Sequence, residues 1–174
     1  MNLYFQDESR FGLMTHIGKC LTARGIKPVV RYQHRFANTY LYGSYSPITG
    51  DSFVYEIEVL GKDIFHKYLS KMSEYKPKEF KIVVIDNASF HSTLDIELPQ
   101  NIVLVPIPPY TPELNPCEKI WQYIKDRFKN KNFKNIALLK EWLHKQVVSL
   151  DNETIKSITH NENWISNFNT AFYT

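Results

Sequence analysis

The sequence predicts an α/β fold in which one mixed β-sheet carries helices on both faces. The first third of the chain reads as strands joined by turns, the middle alternates short apolar strands with helical segments, and the last third is helical in pattern. With 174 residues, 43% of them hydrophobic and 22% charged, the chain is expected to form one domain with a sizeable core.

The first strand is predicted over residues 2–6, Asn-Leu-Tyr-Phe-Gln, and ends at Asp7. Alternation along a strand places Leu3, Phe5 and Asp7 on one face, so Asp7 ends an apolar row. A basic stretch follows over residues 11–38 and shows little periodicity, so it predicts no regular element.

A hairpin and a helix come next. Residues 40–45 and 52–60 are rich in β-forming side chains, and Pro-Ile-Thr-Gly at 47–50 is a good turn between them. Apolar residues at helical spacing then predict a helix that opens at Gly61. They are Ile64, Phe65, Tyr68, Leu69 and Met72.

Two further strands, at 80–85 and 101–106, are apolar on both faces, as expected of central strands covered by helices on both sides. Asp86 follows the first directly. The second leads into a loop that holds most of five closely spaced prolines, out of nine in the chain. This rigid approach ends where a helix begins, with Glu118 in its first turn.

The remaining sequence is helical in pattern. Asn135 is expected to cap one helix, and either Asp151 or Asn152 to start another. The helix after Pro116 has an apolar stripe made of Cys117, Ile120, Trp121, Ile124 and Phe128. A terminal helix is indicated by Trp164, Ile165 and Phe168.

Asp7, Asp86 and Glu118 are candidate functional residues because each stands at the end of a rigid element. Ligands of α/β sheets bind beyond the carboxyl ends of strands, where Asp7 and Asp86 are expected. Each residue also has a purely structural interpretation. The aspartates could cap turns, and Glu118 could complete a capping box by bonding back to the amide of Asn115.

Three carboxylates without a histidine or cysteine cluster favour hard divalent cations, Mg²⁺ or Mn²⁺. A pair of such ions can activate a hydroxyl nucleophile and stabilise the leaving oxygen of an in-line displacement. The sequence offers no Ser-His-Asp pattern, glycine-rich phosphate loop or zinc spacing as a competing chemistry.

Basic residues are concentrated in two zones. Residues 9–50 contain six Lys or Arg and no acid, and residues 119–145 contain eight Lys or Arg and two acids. Such zones suit a polyanion held near a cation site, although two solvated faces would give the same pattern. The candidate DNA contacts are Arg24, Lys27, Arg31, Asn87, His91, Lys119, Gln122, Lys125 and Lys129.

Two cysteines, Cys20 and Cys117, give neither a disulfide framework nor a metal-binding spacing, which favours a reducing compartment such as the cytoplasm. No apolar run approaches the roughly 20 residues of a membrane span, so no membrane association is expected.

Three motifs in order resemble the DDE transposases of the mariner-like superfamily, especially their bacterial insertion-sequence branch, and the resemblance covers nearly the whole chain. They are Phe-Gln-Asp-Glu-Ser-Arg-Phe at 5–11, Asp-Asn-Ala-Ser-Phe-His at 86–91, and Pro-Pro-Tyr-Thr-Pro-Glu-Leu-Asn-Pro-Cys-Glu at 108–118. The third motif is highly specific.

This resemblance implies a ribonuclease H-like, five-stranded mixed sheet in which Asp7, Asp86 and Glu118 bind two Mg²⁺ or Mn²⁺ ions. It implies metal-dependent cutting of element ends and transfer of the freed 3′-hydroxyl to target DNA. The implied partners are double-stranded DNA and further copies of the chain, in a bacterial cytoplasm near the nucleoid.

Two departures from the family pattern qualify these expectations. The family normally carries helix-turn-helix domains upstream, so we expect residues 1–174 to be the catalytic domain alone, without sequence-specific end binding. Leu21 stands near a usual tryptophan. Two alternatives stay open: another ribonuclease H-like nuclease, and a domesticated or truncated relative that binds DNA or protein without catalysis.

Overall fold

The computed structural model describes residues 1–86, 97–108 and 111–162, together with Ser166 and Thr170. Within these residues one sheet is made of β1 (Asn2–Gly12), β2 (Asn38–Tyr45), β3 (Ser52–Ile57), β4 (Lys81–Ile85) and β5 (Ile102–Pro106). Its helices are α1 (Lys62–Glu74), α2 (Cys117–Phe128), α3 (Ile136–Val148) and α4 (Asn152–Thr159).

The strand order is β3-β2-β1-β4-β5, with β1 at the centre. β1, β2 and β3 pair antiparallel, as the predicted hairpin requires, whereas β4 and β5 continue the sheet in parallel with β1. The predicted mixed five-stranded sheet is therefore confirmed.

Each face of the sheet buries different helices. The face carrying Tyr4 and Tyr42 packs against α1, and the face carrying Leu3 and Phe5 packs against α2, α3 and α4. The apolar stripe predicted for α2 is buried in full. On α1 the buried residues are Phe65, Tyr68, Leu69 and Met72, four of the five predicted positions.

Two predicted strands differ from the structure. β1 does not end at Gln6 but runs on to Gly12, because residues 5–12 pair with β2. β5 was expected to be a central strand, and among the described strands it is instead at the edge of the sheet. Val103 and Val105 there are 37% and 42% exposed.

The predicted caps of α3 and α4 are confirmed. The Asn135 side chain accepts from the amide of Leu138 at 2.9 Å, and the Asp151 side chain accepts from the amide of Thr154 at 2.7 Å. The predicted terminal helix over Trp164, Ile165 and Phe168 lies outside the described residues. Every described helix is too short or too polar to traverse a lipid bilayer.

Residues 13–37, between β1 and β2, contain neither strand nor helix, as their lack of periodicity predicts. They are held against the segment that joins α2 to α3. The Asn130 amide donates to the carbonyl of His16 at 2.8 Å, and Arg35 Nη1 donates to the carbonyl of Lys134 at 2.6 Å. The two basic zones of the sequence are thereby brought side by side.

Candidate active site

Asp7 lies in β1 two residues beyond the point where the parallel pairing with β4 ends. The pairing of β1 with β4 ends with Phe5 opposite Val84, whereas the pairing with β2 continues and sets Asp7 opposite Gly43. Asp86 follows directly on the last residue of β4. Asp7 therefore lies within β1, just beyond its pairing with β4, and Asp86 lies just beyond the end of β4. Both stand at the carboxyl end of the parallel pair, where ligands of α/β folds bind.

Hydrogen bonds to β1 fix the entry to α2. Asn115 Nδ2 donates to the carbonyl of Gln6 at 2.9 Å, and Cys117 Sγ donates to the carbonyl of Phe5 at 2.7 Å. Asn115 Oδ1 also accepts from the amide of Cys117 at 3.1 Å. Because Asn115 and Cys117 are both buried, the first turn of α2 is held rigidly beside Asp7.

The capping-box interpretation of Glu118 is wrong. The helix begins at Cys117, and its N-terminus has no side-chain cap hydrogen bond among the described residues. The reason is that Pro116 and not Asn115 stands at the cap position, so Glu118 is the second helical residue, whereas a capping box needs the glutamate at the third. The Glu118 carboxylate is left exposed.

One cleft of about 380 Å³, the carboxylate cleft, brings Asp7 and Glu118 together. Its other lining residues are Glu8, Trp121, Gln122 and Lys125. Two elements that are far apart in the sequence, β1 and α2, thus supply carboxylates to a single space. This juxtaposition is what the sequence predicted for Asp7 and Glu118.

Trp121 forms the wall behind Asp7. Its indole packs edge-on against Tyr45, with ring centroids 5.6 Å apart, and lies over Gly43. A Cβ on Gly43 would stand 2.7 Å from Trp121 Cη2, closer than real contacts allow. Glycine opposite Asp7 is therefore required for the indole to sit there.

Burial is the main reason why the pKa of Asp7 is raised to about 7, and the negative charges of Asp86 and Glu118 raise it as well. The amide of Glu8 donates to Asp7 Oδ1 at 2.8 Å and opposes the shift. The nearby indole N–H of Trp121 makes the smallest contribution and lowers this pKa. Its distance or angle falls outside hydrogen-bonding geometry for every described acceptor. Asp7 thus experiences the charges of both other predicted acids.

Glu8 is a further carboxylate of this cleft, and it was not predicted from the sequence. Burial raises its pKa to about 8, with further contributions from the charges of Asp7 and Asp86. It pairs across the strands with Tyr42, on the face opposite to Asp7. Only its position next to Asp7 could have indicated it from sequence.

The donor chemistry of this cleft fits a divalent cation. All the acids are oxygen ligands, and burial together with the charges of neighbouring carboxylates raises the pKa values of Asp7 and Glu8. A bound cation would offset both effects. Among the described residues, no three carboxylate, histidine or cysteine side chains are already gathered around one point as ligands. Asp7, Asp86 and Glu118 remain the residues predicted to hold the ion.

The candidate DNA contacts have different surroundings. Gln122 and Lys125 line the cleft, and Lys119 is exposed on the same helix. Lys129 is paired with Asp126 at 2.6 Å, and Gln122 also donates to Asp126 at 2.7 Å.

The other candidate DNA contacts lie away from α2. Arg24, Lys27 and Arg31 are exposed in the loop 13–37. Asn87 and His91 lie outside the described residues.

The order of strands and the acids at the carboxyl edge of the sheet define a ribonuclease H-like domain. Residues 2–140 match the family model described as DDE superfamily endonuclease, and the chain belongs to this family. A curated relative, the uncharacterized protein y4pE/y4sA of Sinorhizobium fredii (strain NBRC 101917 / NGR234), is 28% identical over 98 residues. That match covers 55% of this chain and 73% of the relative.

Solved structures with the same fold are complexes of the Mos1 transposase. The Mos1 strand transfer complex matches with a TM-score of 0.69 at 15% identity, over 91% of this chain and 50% of that chain. The mariner Mos1 paired-end complex with Mn matches with a TM-score of 0.66 at 18% identity, over 91% and 52%. The mariner Mos1 paired-end complex with Mg matches with a TM-score of 0.68 at 16% identity, over 91% of this chain and 51% of that chain. The chain thus spans about half the length of these transposases.

Proposed function

We propose that this chain is the catalytic domain of a DNA transposase. It cuts phosphodiester bonds at element ends and joins the freed 3′-hydroxyl to target DNA. The observation that carries this proposal is the cleft shared by Asp7 and Glu118, in which the charge of Asp86 also acts on Asp7. Membership of the DDE superfamily endonucleases and the fold shared with the Mos1 complexes support it.

Asp7, Asp86 and Glu118 hold Mg²⁺ or Mn²⁺, as two ions, in this proposal. Bound ions of this kind activate a hydroxyl nucleophile and stabilise the leaving oxygen. The chain positions the ligands: Asn115 and Cys117 tie Glu118 to the strand that carries Asp7. Gln122 and Lys125 lie on the same cleft and contact the phosphates of the bound DNA.

Nicking of supercoiled plasmid DNA in Mn²⁺ tests the proposal. Loss of one outer-shell partner of a metal site already costs about 10- to 100-fold. We therefore expect Asp86→Asn, which removes a ligand itself, to lower the rate by about 100-fold or more. The matched control is Asp151→Asn, since asparagine caps a helix about as well as aspartate and α4 is kept.

Three outcomes would contradict the proposal. Nicking by Asp86→Asn at the wild-type rate would remove this residue from the site. Preference for RNA–DNA hybrids over duplex DNA would favour another ribonuclease H-like nuclease. No Mn²⁺ binding in calorimetry, or binding that Asp7→Ala does not weaken, would favour a relative that binds without catalysis.

The active complex, we infer, contains at least two copies of the chain. Joining an element to new DNA requires cutting at two ends, and each end needs its own carboxylate cleft. Light scattering of the protein mixed with duplex DNA measures the number of copies. A single copy on DNA that carries two element ends, under conditions that support strand transfer, would contradict this inference.

A further inference from the structure

A second cavity, the basic pocket, lies further along β1 and has a volume of about 280 Å³. It is lined by Arg10, Gly12, Met14, His16, Arg35, Phe36 and Asn38. Two guanidinium groups, an imidazole and an amide thus surround one space, and no acid is among these lining residues. A cavity of this composition suits an anion.

Arg10 has its guanidinium available for a ligand. The side chain is exposed, and among the described residues it forms no ion pair and no side-chain hydrogen bond. Arg35 spends one N–H on the carbonyl of Lys134 and is held in place by that bond. An arginine carries five N–H donors, so Arg35 retains donors for a second partner.

Gly12 makes room for the Asn38 side chain at the wall of the basic pocket. It stands opposite Asn38 in the ladder between β1 and β2. A Cβ on Gly12 would come within 2.5 Å of Asn38 Oδ1, so any larger residue would displace the amide. The missing side chain therefore lets the Asn38 amide lie across β1 at the wall of the pocket.

The basic pocket stands in a defined relation to the carboxylate cleft. Asp7 and Arg10 are three residues apart on the same strand, which corresponds to about 10 Å at a rise of about 3.3 Å per residue. Along one strand of B-DNA, about 10 Å of helix axis corresponds to about three nucleotides. Alternation places Arg10 on the opposite face of β1 from Asp7, and on the same face as Glu8, which also lines the cleft. Among the described residues β4 does not pair with β1 beyond Phe5, so this edge of β1 is open there. A DNA strand that crosses the open edge with one phosphate at Asp7 can thus reach Arg10 with a phosphate a few nucleotides away.

We propose that the basic pocket binds a phosphodiester group of the DNA that occupies the carboxylate cleft, and so sets the register of the strand being cut. This inference rests on the proposed function. Arg10 and Arg35 supply paired N–H donors to the phosphate oxygens, and Asn38 adds an amide donor. Contacts of this kind position the backbone and carry no base sequence.

The test is a salt titration of DNA binding, followed by fluorescence anisotropy with a labelled duplex and no metal ion. Each phosphate contact contributes about 0.9 to the slope of log affinity against log salt. We expect Arg10→Gln to lower the slope by about 1 and to weaken binding roughly tenfold at low salt. Arg35→Gln should act in the same direction. Lys78→Gln removes an exposed charge near the start of β1, and it should change affinity less than about twofold.

A conservative variant separates a phosphate contact from a purely structural role. Arg10→Lys should restore the slope but only part of the affinity, since an ammonium keeps the charge and lacks the paired N–H groups. Thermal unfolding and Mn²⁺ affinity should stay at wild-type values in Arg10→Gln, because Arg10 has no protein partner to lose among the described residues.

The outcomes distinguish this inference from the proposed function. Wild-type protein that binds duplex DNA with the same slope as Arg10→Gln would overturn the basic pocket and leave the transposase proposal standing. Wild-type protein that binds no duplex DNA at low salt would overturn both. Competition by inorganic phosphate without any change in DNA affinity on mutation would indicate a small-anion site, and would also overturn the inference.

Discussion

Asp7 is buried beside other acids, so the free energy of unfolding should depend on pH. Its pKa is about 7 in the folded protein, against about 3.9 for an unfolded chain. As pH rises from about 4 to 7, the unfolded state loses this proton first, and stability therefore falls across that window. In EDTA, we expect the free energy of unfolding of Asp7→Asn to exceed that of the wild type by on the order of 2–4 kcal/mol at pH 8. At pH 4 the two free energies should differ little.

Urea unfolding at several pH values measures this difference. Asp151→Asn is the control, since Asp151 is exposed and hydrogen bonds with the side chain and the amide of Thr154 lower its pKa rather than raise it. Equal stability of Asp7→Asn and wild type at pH 8 would mean that ionisation of the Asp7 carboxylate does not destabilise the folded state. The interpretation of the cleft as uncompensated charge would then fail.

Gly43 is the second residue on which the site depends. In Gly43→Ala the new methyl group would meet Trp121 and Tyr45, both rigid aromatic side chains in the core. Overpacking of this kind costs about 1–3 kcal/mol. We expect that loss in urea unfolding, together with reduced nicking because the wall behind Asp7 moves. Gly61→Ala, where a Cβ meets nothing within 4 Å, should leave nicking unchanged, and equal effects of both would contradict the role of Gly43.

At the scale of elements, the junction of α2 with β1 decides where Glu118 lies. Asn115→Ala removes a hydrogen bond to the carbonyl of Gln6 and one to the amide of Cys117, both in buried surroundings. We expect a loss of about 2–4 kcal/mol, because buried groups are left unpaired. Nicking should fall further than this instability explains. The comparison is Asn135→Ala, which removes one exposed cap at a cost of about 1 kcal/mol. Nicking that falls equally in both variants would exclude a positioning role for Asn115.

Elements with a strong internal period were predictable, and those set by their neighbours were not. The stripes of α1 and α2 could be read because burial follows helical spacing. The length of β1 could not, since residues 8–12 become strand through pairing with β2 rather than through their own pattern. The sequence of β5 is apolar, yet an apolar run does not reveal whether a strand is central or at an edge.

At the scale of the whole molecule, the sequence predicted those site residues whose positions follow from the order of strands and helices along the chain. Asp7 and Glu118 stand at the ends of predicted elements or apolar rows, so their convergence on one cleft could be foreseen. Glu8 and Arg10 could not, because alternation places them on the opposite face of β1 from Asp7. Their roles depend on the loss of the β4 partner beyond Phe5, which opens that side of the strand.

Metal binding should couple the whole site to protons. Near pH 7 the carboxyl groups of Asp7 and Glu8, with pKa values of about 7 and 8, are partly protonated, whereas a bound cation requires Asp7 to be ionised. We therefore expect Mn²⁺ binding at pH 6.5 to release protons and its affinity to rise with pH up to about 8. Calorimetry in two buffers of different ionisation enthalpy measures the release directly.

Equal heats in both buffers, with an affinity that does not change between about pH 6 and 8, would show that no carboxyl of the cleft gives up a proton. In Asp7→Asn the remaining binding should be weaker and less dependent on the buffer, because the group that exchanges its proton for the cation is gone.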